Sequence, residues 1–290
     1  MSRRSMAALT GLALAWPVSL VPAIAQNAYI TNQGLYPNFS NKVTVIDTTT
    51  NKVVTTIDVG LAPAGVAVAP DGSKVYVANE TVKGTVSVID AAANAVSATV
   101  AVGSNPVGVA VKPDGSKVYV ANDMLSGTVS VIDTATNAVS ATVAVGTHPV
   151  GVAVKPDGSK VYVVNKGNGT VSVIDANNKV VATIDVGLAP FAVAITPDGS
   201  KLYVTNLNDT VSVITTATNA VSATINVGHG PLGVAFTSDG SKAYVANQFD
   251  NTVSVIATAS NTVVAKIDVG ASPIAFGIFI LPRSRSPPAR

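Results

Sequence analysis

The chain has 290 residues, of which 48% are hydrophobic and 12% are charged. Its 18 basic residues slightly outnumber its 16 acidic ones, but three of the arginines lie in the last eight residues. Between residues 26 and 282 there are 13 lysines against 16 acidic residues, a balance that argues against a nucleic-acid partner or an anionic membrane surface. The chain has no cysteine, which excludes disulfides and thiol catalysis.

The first 25 residues have the pattern of an export signal. Arg3-Arg4 gives a positive start, residues 6–21 are largely apolar, and Ala23-Ile24-Ala25 supplies a small-x-small cleavage site before Gln26. Two prolines interrupt the apolar stretch, which makes a membrane anchor the weaker interpretation. We therefore predict a periplasmic or secreted protein with no membrane insertion after cleavage, exported by the general or the twin-arginine route.

From residue 63 onward the sequence repeats itself every 41 to 43 residues, and repeats begin at Pro63, Pro106, Pro149, Pro190 and Pro231. Each repeat contains four short β-branched segments separated by turn signals, which predicts four strands, a to d. In the first repeat, Pro70-Asp71-Gly72 predicts a tight a–b hairpin, and the asparagine that ends strand b is interpreted as a cap. No stretch after the signal has a helical period.

Four-stranded antiparallel units of about 42 residues are typical of β-propeller blades. The glycines that recur on strand a are expected where the innermost strands crowd around the central axis. Residues 28–60 contain segments b, c and d alone, and residues 273–281 contain segment a alone. Joining these two pieces into one sheet predicts a ring of six blades over residues 26–282, with an all-β fold, and closure of the ring would hide the open sheet edges. Residues 283–290 lack periodicity and are predicted to be disordered.

The sequence resembles the YVTN family of β-propeller repeat proteins. Tyr203-Val204-Thr205-Asn206 has the signature itself, and variants recur in the other repeats, in register with P-D-G-S-K and V-S-V-I-D segments. The resemblance covers residues 28–281 and implies an exported propeller, with seven blades as the alternative count. Related propellers include lactone hydrolases and haem-bearing domains, so fold alone does not decide between a binding protein and an enzyme.

The repeats differ mainly on one face of the predicted ring. The a–b and c–d turns are nearly invariant, whereas the d–a connections and the b–c loops, which lie on the opposite face, vary from repeat to repeat. The first b–c loop is predicted at residues 33–42. Variable loops on a regular scaffold are where ligands are expected. The candidate ligand residues on this face are His148, His229, Asn105, Glu80, Asp123, Lys166, Asn208, Asp209 and Asp250.

No catalytic, metal or cofactor site is predicted from these residues. His148 and His229, the only histidines, fall in the third and fifth d–a connections, and no cysteine or carboxylate pattern completes a ligand set around them. The chain has no G-x-S-x-G segment. We expect a module that binds a protein, peptide or glycan, with a lactonase-like hydrolase or cofactor-carrying domain as the alternative and a structural envelope role as the third.

Deletion of residues 273–290 should destabilise the whole ring, because the deletion removes the strand predicted to complete the first sheet. Thermal unfolding and size-exclusion chromatography of the truncated protein measure this effect. A truncated protein that is monodisperse and melts like the full-length chain would refute closure by this segment.

Overall fold

The computed structural model describes residues 27–35 and 37–273, and in this part every regular element is a β-strand. The strands are β1 (Asn27–Leu35), β2 (Asn38–Asp47), β3 (Lys52–Asp58), β4 (Pro63–Val68), β5 (Lys74–Asn79), β6 (Thr85–Asp90), β7 (Ala95–Ala101), β8 (Pro106–Val111), β9 (Lys117–Asn122), β10 (Thr128–Asp133), β11 (Ala138–Ala144), β12 (Pro149–Val154), β13 (Lys160–Asn165), β14 (Thr170–Asp175), β15 (Val180–Asp185), β16 (Pro190–Ile195), β17 (Lys201–Asn206), β18 (Thr210–Thr215), β19 (Ala220–Asn226), β20 (Pro231–Phe236), β21 (Lys242–Asn247), β22 (Thr252–Ala257) and β23 (Thr262–Asp268).

The strands form six antiparallel sheets in chain order. Sheet 1 contains β1–β3, and sheets 2 to 6 contain β4–β7, β8–β11, β12–β15, β16–β19 and β20–β23. The predicted division into strands a to d is confirmed in all five complete sheets, and sheet 1 has the predicted b, c and d. The predicted signal, tail and closing strand lie outside the described residues, except for Pro273.

The a–b hairpins form because of their Asp-Gly pairs. Gly72 has a φ of 72°, a left-handed conformation that a side chain would strain, and the glycines of the other a–b turns share it. The Asp71 carboxylate accepts hydrogen bonds from the backbone N–H and the hydroxyl of Ser73, at 3.0 and 2.8 Å. The repeated aspartates are thus explained by turn formation, as predicted.

One predicted loop is wrong. Residues 33–42 were expected to form a b–c loop, but β1 continues to Leu35 and β2 begins at Asn38. The ladder extends past an irregularity near Asn32 and pairs Gly34 with Phe39. A bulge accommodates one extra residue, so the two strands can continue to pair beyond it. The polar composition of this stretch does not reveal such a bulge.

The core lies between neighbouring sheets. Strands b and c are buried on both faces, and five apolar clusters each join one sheet to the next, from sheets 1 and 2 to sheets 5 and 6. In the cluster between sheets 2 and 3, Val100 of strand d packs with Val118, Val120 and Ile132. Each such side chain contributes about 1.5–3 kcal/mol when buried, so a sheet depends on its neighbour for stability.

Glycines allow the innermost strands to approach one another closely. A Cβ on Gly65 of β4 would collide with the carbonyl oxygen of Val107 in β8, and a Cβ on Gly108 would collide with that of Val150. Only glycine fits at these two positions. The glycines on strand a were predicted for this crowded inner region, and the contacts confirm that interpretation.

The asparagine that ends strand b contacts strand c of its own sheet and the preceding d–a connection. In sheet 3 the Asn122 amide donates to the hydroxyls of Thr128 and Ser130, at 2.9 and 3.0 Å, and the backbone N–H of Gly103 donates to Ser130 at 3.2 Å. A Cβ on Gly103 would lie 2.5 Å from Asn122 Cγ, so the preceding d–a connection packs directly on the amide. We call this Gly–Asn–Ser arrangement the latch. It corrects the simpler prediction of a strand cap, because the asparagine also ties its own sheet to the connection before it.

The closed ring of six blades is not confirmed. Among the described residues, no apolar cluster joins sheet 6 to sheet 1. Ile267 of β23 is 44% exposed, whereas Ile225, at the same position in sheet 5, is 5% exposed. On the opposite side Ile30 of β1 is 47% exposed. We call these two faces, around Ile267 and around Ile30, the seam.

Candidate functional site

The d–a connections and the b–c loops meet on one face of the structure, which we call the mouth face. The residue that precedes the proline at the end of a d–a connection has a positive φ. Asn105 and His148, in two different connections, both have a φ of 51°. The His148 N–H donates to the Met124 carbonyl at 2.9 Å, and its own carbonyl accepts from the Lys166 N–H at 2.9 Å. The loops of neighbouring sheets therefore interlock, which fixes the backbone from which the variable side chains project.

His148 and Asp123 form a pair across this interlock. Nδ1 of His148 lies 2.7 Å from Oδ1 of Asp123, which follows strand b of sheet 3. Sequence reasoning did not reveal this pairing. The residues are 25 positions apart, and only the stacking of β9 beside the next connection brings them together. With Nδ1 engaged by Asp123, Nε2 is the ring nitrogen on the side of the imidazole away from that carboxylate.

His229 repeats the same arrangement two sheets further on. Its Nδ1 lies 2.7 Å from Oδ2 of Asp209, whose other oxygen accepts from the Gly230 N–H at 3.1 Å. Asp250, in the next b–c loop, accepts from Lys266 at 2.9 Å. This hydrogen bond is the largest cause that lowers the pKa of Asp250, followed by one from the backbone of His229. Asp209, His229 and Asp250 thus form one polar group.

Glu80 lies beside the first pair. Its carboxylate accepts a hydrogen bond from the Gln33 amide at 2.6 Å. Burial raises the pKa of Glu80, and the charge of Asp123 raises it further, although the hydrogen bond from Gln33 lowers it. Glu80, Asp123 and His148 therefore form a second polar group, which spans the loops of sheets 2 and 3 and the connection into sheet 4.

The side-chain contacts of the three remaining candidates, Asn105, Lys166 and Asn208, are with residues outside the two polar groups. The Asn105 amide lies 3.4 Å from Sδ of Met124, the Lys166 ammonium lies 5.5 Å from the centre of the Phe191 ring, and the Asn208 side chain accepts from the Thr210 hydroxyl at 3.1 Å. Lys166 on an aromatic ring is a cation–π contact. These residues shape the surface around the two polar groups.

Sequence reasoning missed the apolar residues of the mouth face. Large hydrophobic side chains with at least half of their surface exposed occur in its loops and connections, at Leu61, Val82, Leu125, Leu188 and Phe249. Among the described residues, the a–b and c–d turns of the opposite face contribute no exposed large hydrophobic residue. The sequence pattern that could have identified them is a leucine, valine or phenylalanine within an otherwise polar loop.

Two clefts lie between neighbouring sheets, and neither is lined by a histidine. One, of about 460 Å³, lies between sheets 3 and 4 and is lined in part by Gly146, Asn168 and Thr170. The other, of about 500 Å³, lies beside the a–b turns of sheets 2 and 3. Within residues 27–35 and 37–273, no three His, Cys, Asp or Glu side chains are grouped as a metal site. The same residues include no helix that could cross a bilayer.

The six stacked antiparallel sheets define a β-propeller. The chain belongs to the family described as lactonase, 7-bladed beta-propeller, whose family model matches residues 95–269, well over half of the sequence. The model of the cytochrome D1 heme domain matches residues 35–150. The narrower resemblance to YVTN proteins stays a prediction.

Solved structures of low sequence identity share the fold. Hydrazine synthase of Kuenenia stuttgartiensis is 24% identical with a TM-score of 0.75, and the match covers 84% of each chain. A functionally unknown protein from Desulfotomaculum acetoxidans is 20% identical with a TM-score of 0.72, and the match covers 85% of this chain and 82% of that one. No curated protein matches the chain.

Replacing Glu80 with glutamine should make the protein more stable at pH 7 and leave its stability unchanged near pH 3. The raised pKa means that folding favours the protonated form, so the contribution of Glu80 is fully favourable at low pH and falls as the pH rises through its folded pKa. Thermal unfolding at both pH values measures the difference. Asp185→Asn, at an exposed strand position, is the control. The quantity compared is the Tm of Glu80→Gln minus the Tm of wild type. If this difference is lower at pH 7 than at pH 3, the assignment is contradicted.

Proposed function

We propose that this chain is an exported β-propeller that binds another protein, a peptide or a glycan through its mouth face, with a polypeptide as the favoured ligand. The observation that carries the proposal is the distribution of exposed apolar side chains. Leu125 and Leu188 are 73% and 71% exposed, and Val82 and Phe249 are exposed to a similar degree. Several large apolar side chains exposed together on one face of a protein are typical of an interaction site.

The composition of the mouth face supports a polypeptide ligand. Its apolar side chains are interspersed with two Asp–His pairs, a cationic side chain on an aromatic ring, and the partly buried Glu80. Interfaces combine apolar anchors, which supply affinity, with polar groups that fix orientation.

The second candidate is a hydrolase or a cofactor-carrying domain that uses the same face. The lactonase family match and the group of Glu80, Asp123 and His148 favour it. A carboxyl group with a raised pKa and an imidazole oriented by a second carboxylate can act together as a general acid and base. The haem-domain match adds a cofactor version, in which Nε2 of His148 or His229 would hold the haem iron, because a carboxylate holds Nδ1 of each ring.

For location and architecture we propose export to the periplasm or the medium through residues 1–25, and a ring of six blades in which residues 273–281 supply the inner strand of sheet 1. Five d–a connections in the described chain each lead to the inner strand of the adjacent sheet. The sixth has the same D-V-G-x-x-P sequence as the first, at residues 268–273. A connection of the same length should reach the same neighbouring position.

The double substitution Leu125→Asp and Leu188→Asp should weaken ligand binding at least about tenfold, because buried apolar anchors dominate interface energies. The ligand is captured from the native envelope by crosslinking to wild type, identified, and titrated against each purified variant. The matched control is Val54→Asp with Val264→Asp, which places the same charges at exposed positions of outer strands.

Equal loss of binding in both double variants, or none in either, contradicts the proposal. Hydrolysis of a lactone series is measured in parallel. A saturable activity of the wild type that Glu80→Gln and His148→Gln both abolish would replace the binding function with the enzymatic one.

A further inference from the structure

Phe249, in the b–c loop of sheet 6, presents an aromatic ring that is fixed in position on the mouth face although it is 71% exposed. Two backbone hydrogen bonds tie this loop to the preceding d–a connection: the Gln248 N–H donates to the Gly230 carbonyl at 2.9 Å, and the Phe249 N–H donates to the His229 carbonyl at 3.1 Å. A Cβ on Gly230 would lie 2.5 Å from Cδ2 of Phe249, so the ring rests directly on the backbone of this glycine. The ring is therefore supported on one side and open to solvent on the other.

The same contact occurs in sheet 4 with the two partners exchanged. There the ring belongs to His148 in the d–a connection and the glycine is Gly167 in the b–c loop, and a Cβ on Gly167 would lie 3.0 Å from Cδ2 of His148. The Gly167 N–H donates to the Thr147 carbonyl at 3.1 Å, as the Phe249 N–H does to that of His229. In both places the glycine leaves the space that the ring occupies. The fit between loop and connection thus provides a defined position for a ring on the mouth face.

Two carboxylates accompany the Phe249 ring. Asp209 accepts a hydrogen bond at 3.1 Å from the N–H of Gly230, the residue on which the ring rests, and Asp250 directly follows Phe249 in the chain. The Asp209 side chain is 38% exposed, and each of its oxygens has one partner, so each oxygen can accept a second hydrogen bond. Asp250 is already paired with the Lys266 ammonium. Two carboxylates against one ammonium leave an excess of negative charge next to an open ring, unless His229 is protonated.

A cation is the ligand group that satisfies the ring and the carboxylates together. The face of an aromatic ring attracts a cation, and a carboxylate accepts charge-assisted hydrogen bonds from it. An aliphatic side chain on the ring would displace water from the nearby carboxylates without replacing their hydrogen bonds, which costs free energy. The mouth face already contains one such contact within the chain, the Lys166 ammonium 5.5 Å from the centre of the Phe191 ring. Over residues 27–35 and 37–273, no cation of the chain occupies the ring of Phe249 in the same way.

We propose that Phe249 and Asp209 form a subsite for an arginine side chain of the ligand, with Asp250 adding negative charge. This inference rests on the function proposed above and names one group that the polypeptide presents. A guanidinium is planar, so it can stack on the ring while its N–H groups donate to the carboxylate, whereas the ammonium of lysine is a compact charge with no plane to stack. His229 is a positioning residue, because it and the Gly230 N–H hold the two oxygens of Asp209.

A pair of short peptides tests this subsite without the complete ligand. The probes are N-acetyl-Gly-Arg-Gly-amide and the same peptide with citrulline in place of arginine, which keeps the shape of the side chain and removes its charge. The full-length protein is prepared with isotope-labelled phenylalanine rings for NMR spectroscopy, and the Phe249→Leu variant assigns the Phe249 signals by their loss. The shift of these signals during titration gives the Kd of each peptide.

The arginine peptide should shift the Phe249 signals with a Kd about tenfold lower than that of the citrulline peptide, because both the ring and the carboxylate attract the charge. Asp209→Asn should remove most of this difference. The matched control is Asp185→Asn, which makes the same change at the exposed end of β15 and should leave the difference intact. Unchanged signals from the other phenylalanine rings show that each variant is folded.

Three results overturn the proposal: equal binding of the two peptides, no shift of the Phe249 signals with the arginine peptide, or a difference between the peptides that Asp209→Asn does not reduce. Shifts caused by methyl glycosides and not by the arginine peptide would assign the ring to a glycan instead.

The peptides need no captured ligand, so this experiment and the test of the proposed function fail separately. If the Leu125 and Leu188 double variant loses the captured ligand but the arginine peptide shows no preference, the subsite alone is wrong. If the arginine preference is present but that double variant binds like its control, the proposed function alone is wrong.

Discussion

The structure depends on the packing of each sheet against the next. Strands b and c are buried on both faces, so a single blade cannot bury its own valines and isoleucines. Five apolar clusters meet this requirement between six sheets. Glycines on strand a and in the latch set how closely the sheets approach. The seam follows from the same constraint, because a series of mutually dependent sheets must either close or leave two faces exposed.

The sequence predicts the strands and turns correctly wherever the preferences of neighbouring residues determine the local structure. The Asp-Gly hairpins, the four strands of each repeat and the three strands of sheet 1 were all predicted correctly. The extension of β1 past Asn32 was missed because a bulge leaves no pattern in side-chain polarity. Closure of the ring is a different matter, since it depends on the angle accumulated over five contacts rather than on any local motif.

The residues of the mouth face could be located from the sequence, but the contacts between them could not. Variation among the repeats identified the mouth face and nearly all of its charged residues. It did not reveal that Asp123 lies on His148 or that Asp209 lies on His229, because each pair joins residues from different loops of the stack. The exposed leucines of the same loops were visible in the sequence but were not given weight.

Hydrogen exchange of the full-length protein tests the dependence of each sheet on its neighbours most directly. If all sheets are held by equivalent contacts in a closed ring, the amides of strands b and c should show similar protection in all six sheets and exchange only by cooperative global unfolding. Early exchange confined to sheets 1 and 6, while sheets 3 and 4 remain protected, would contradict a ring with six equivalent contacts.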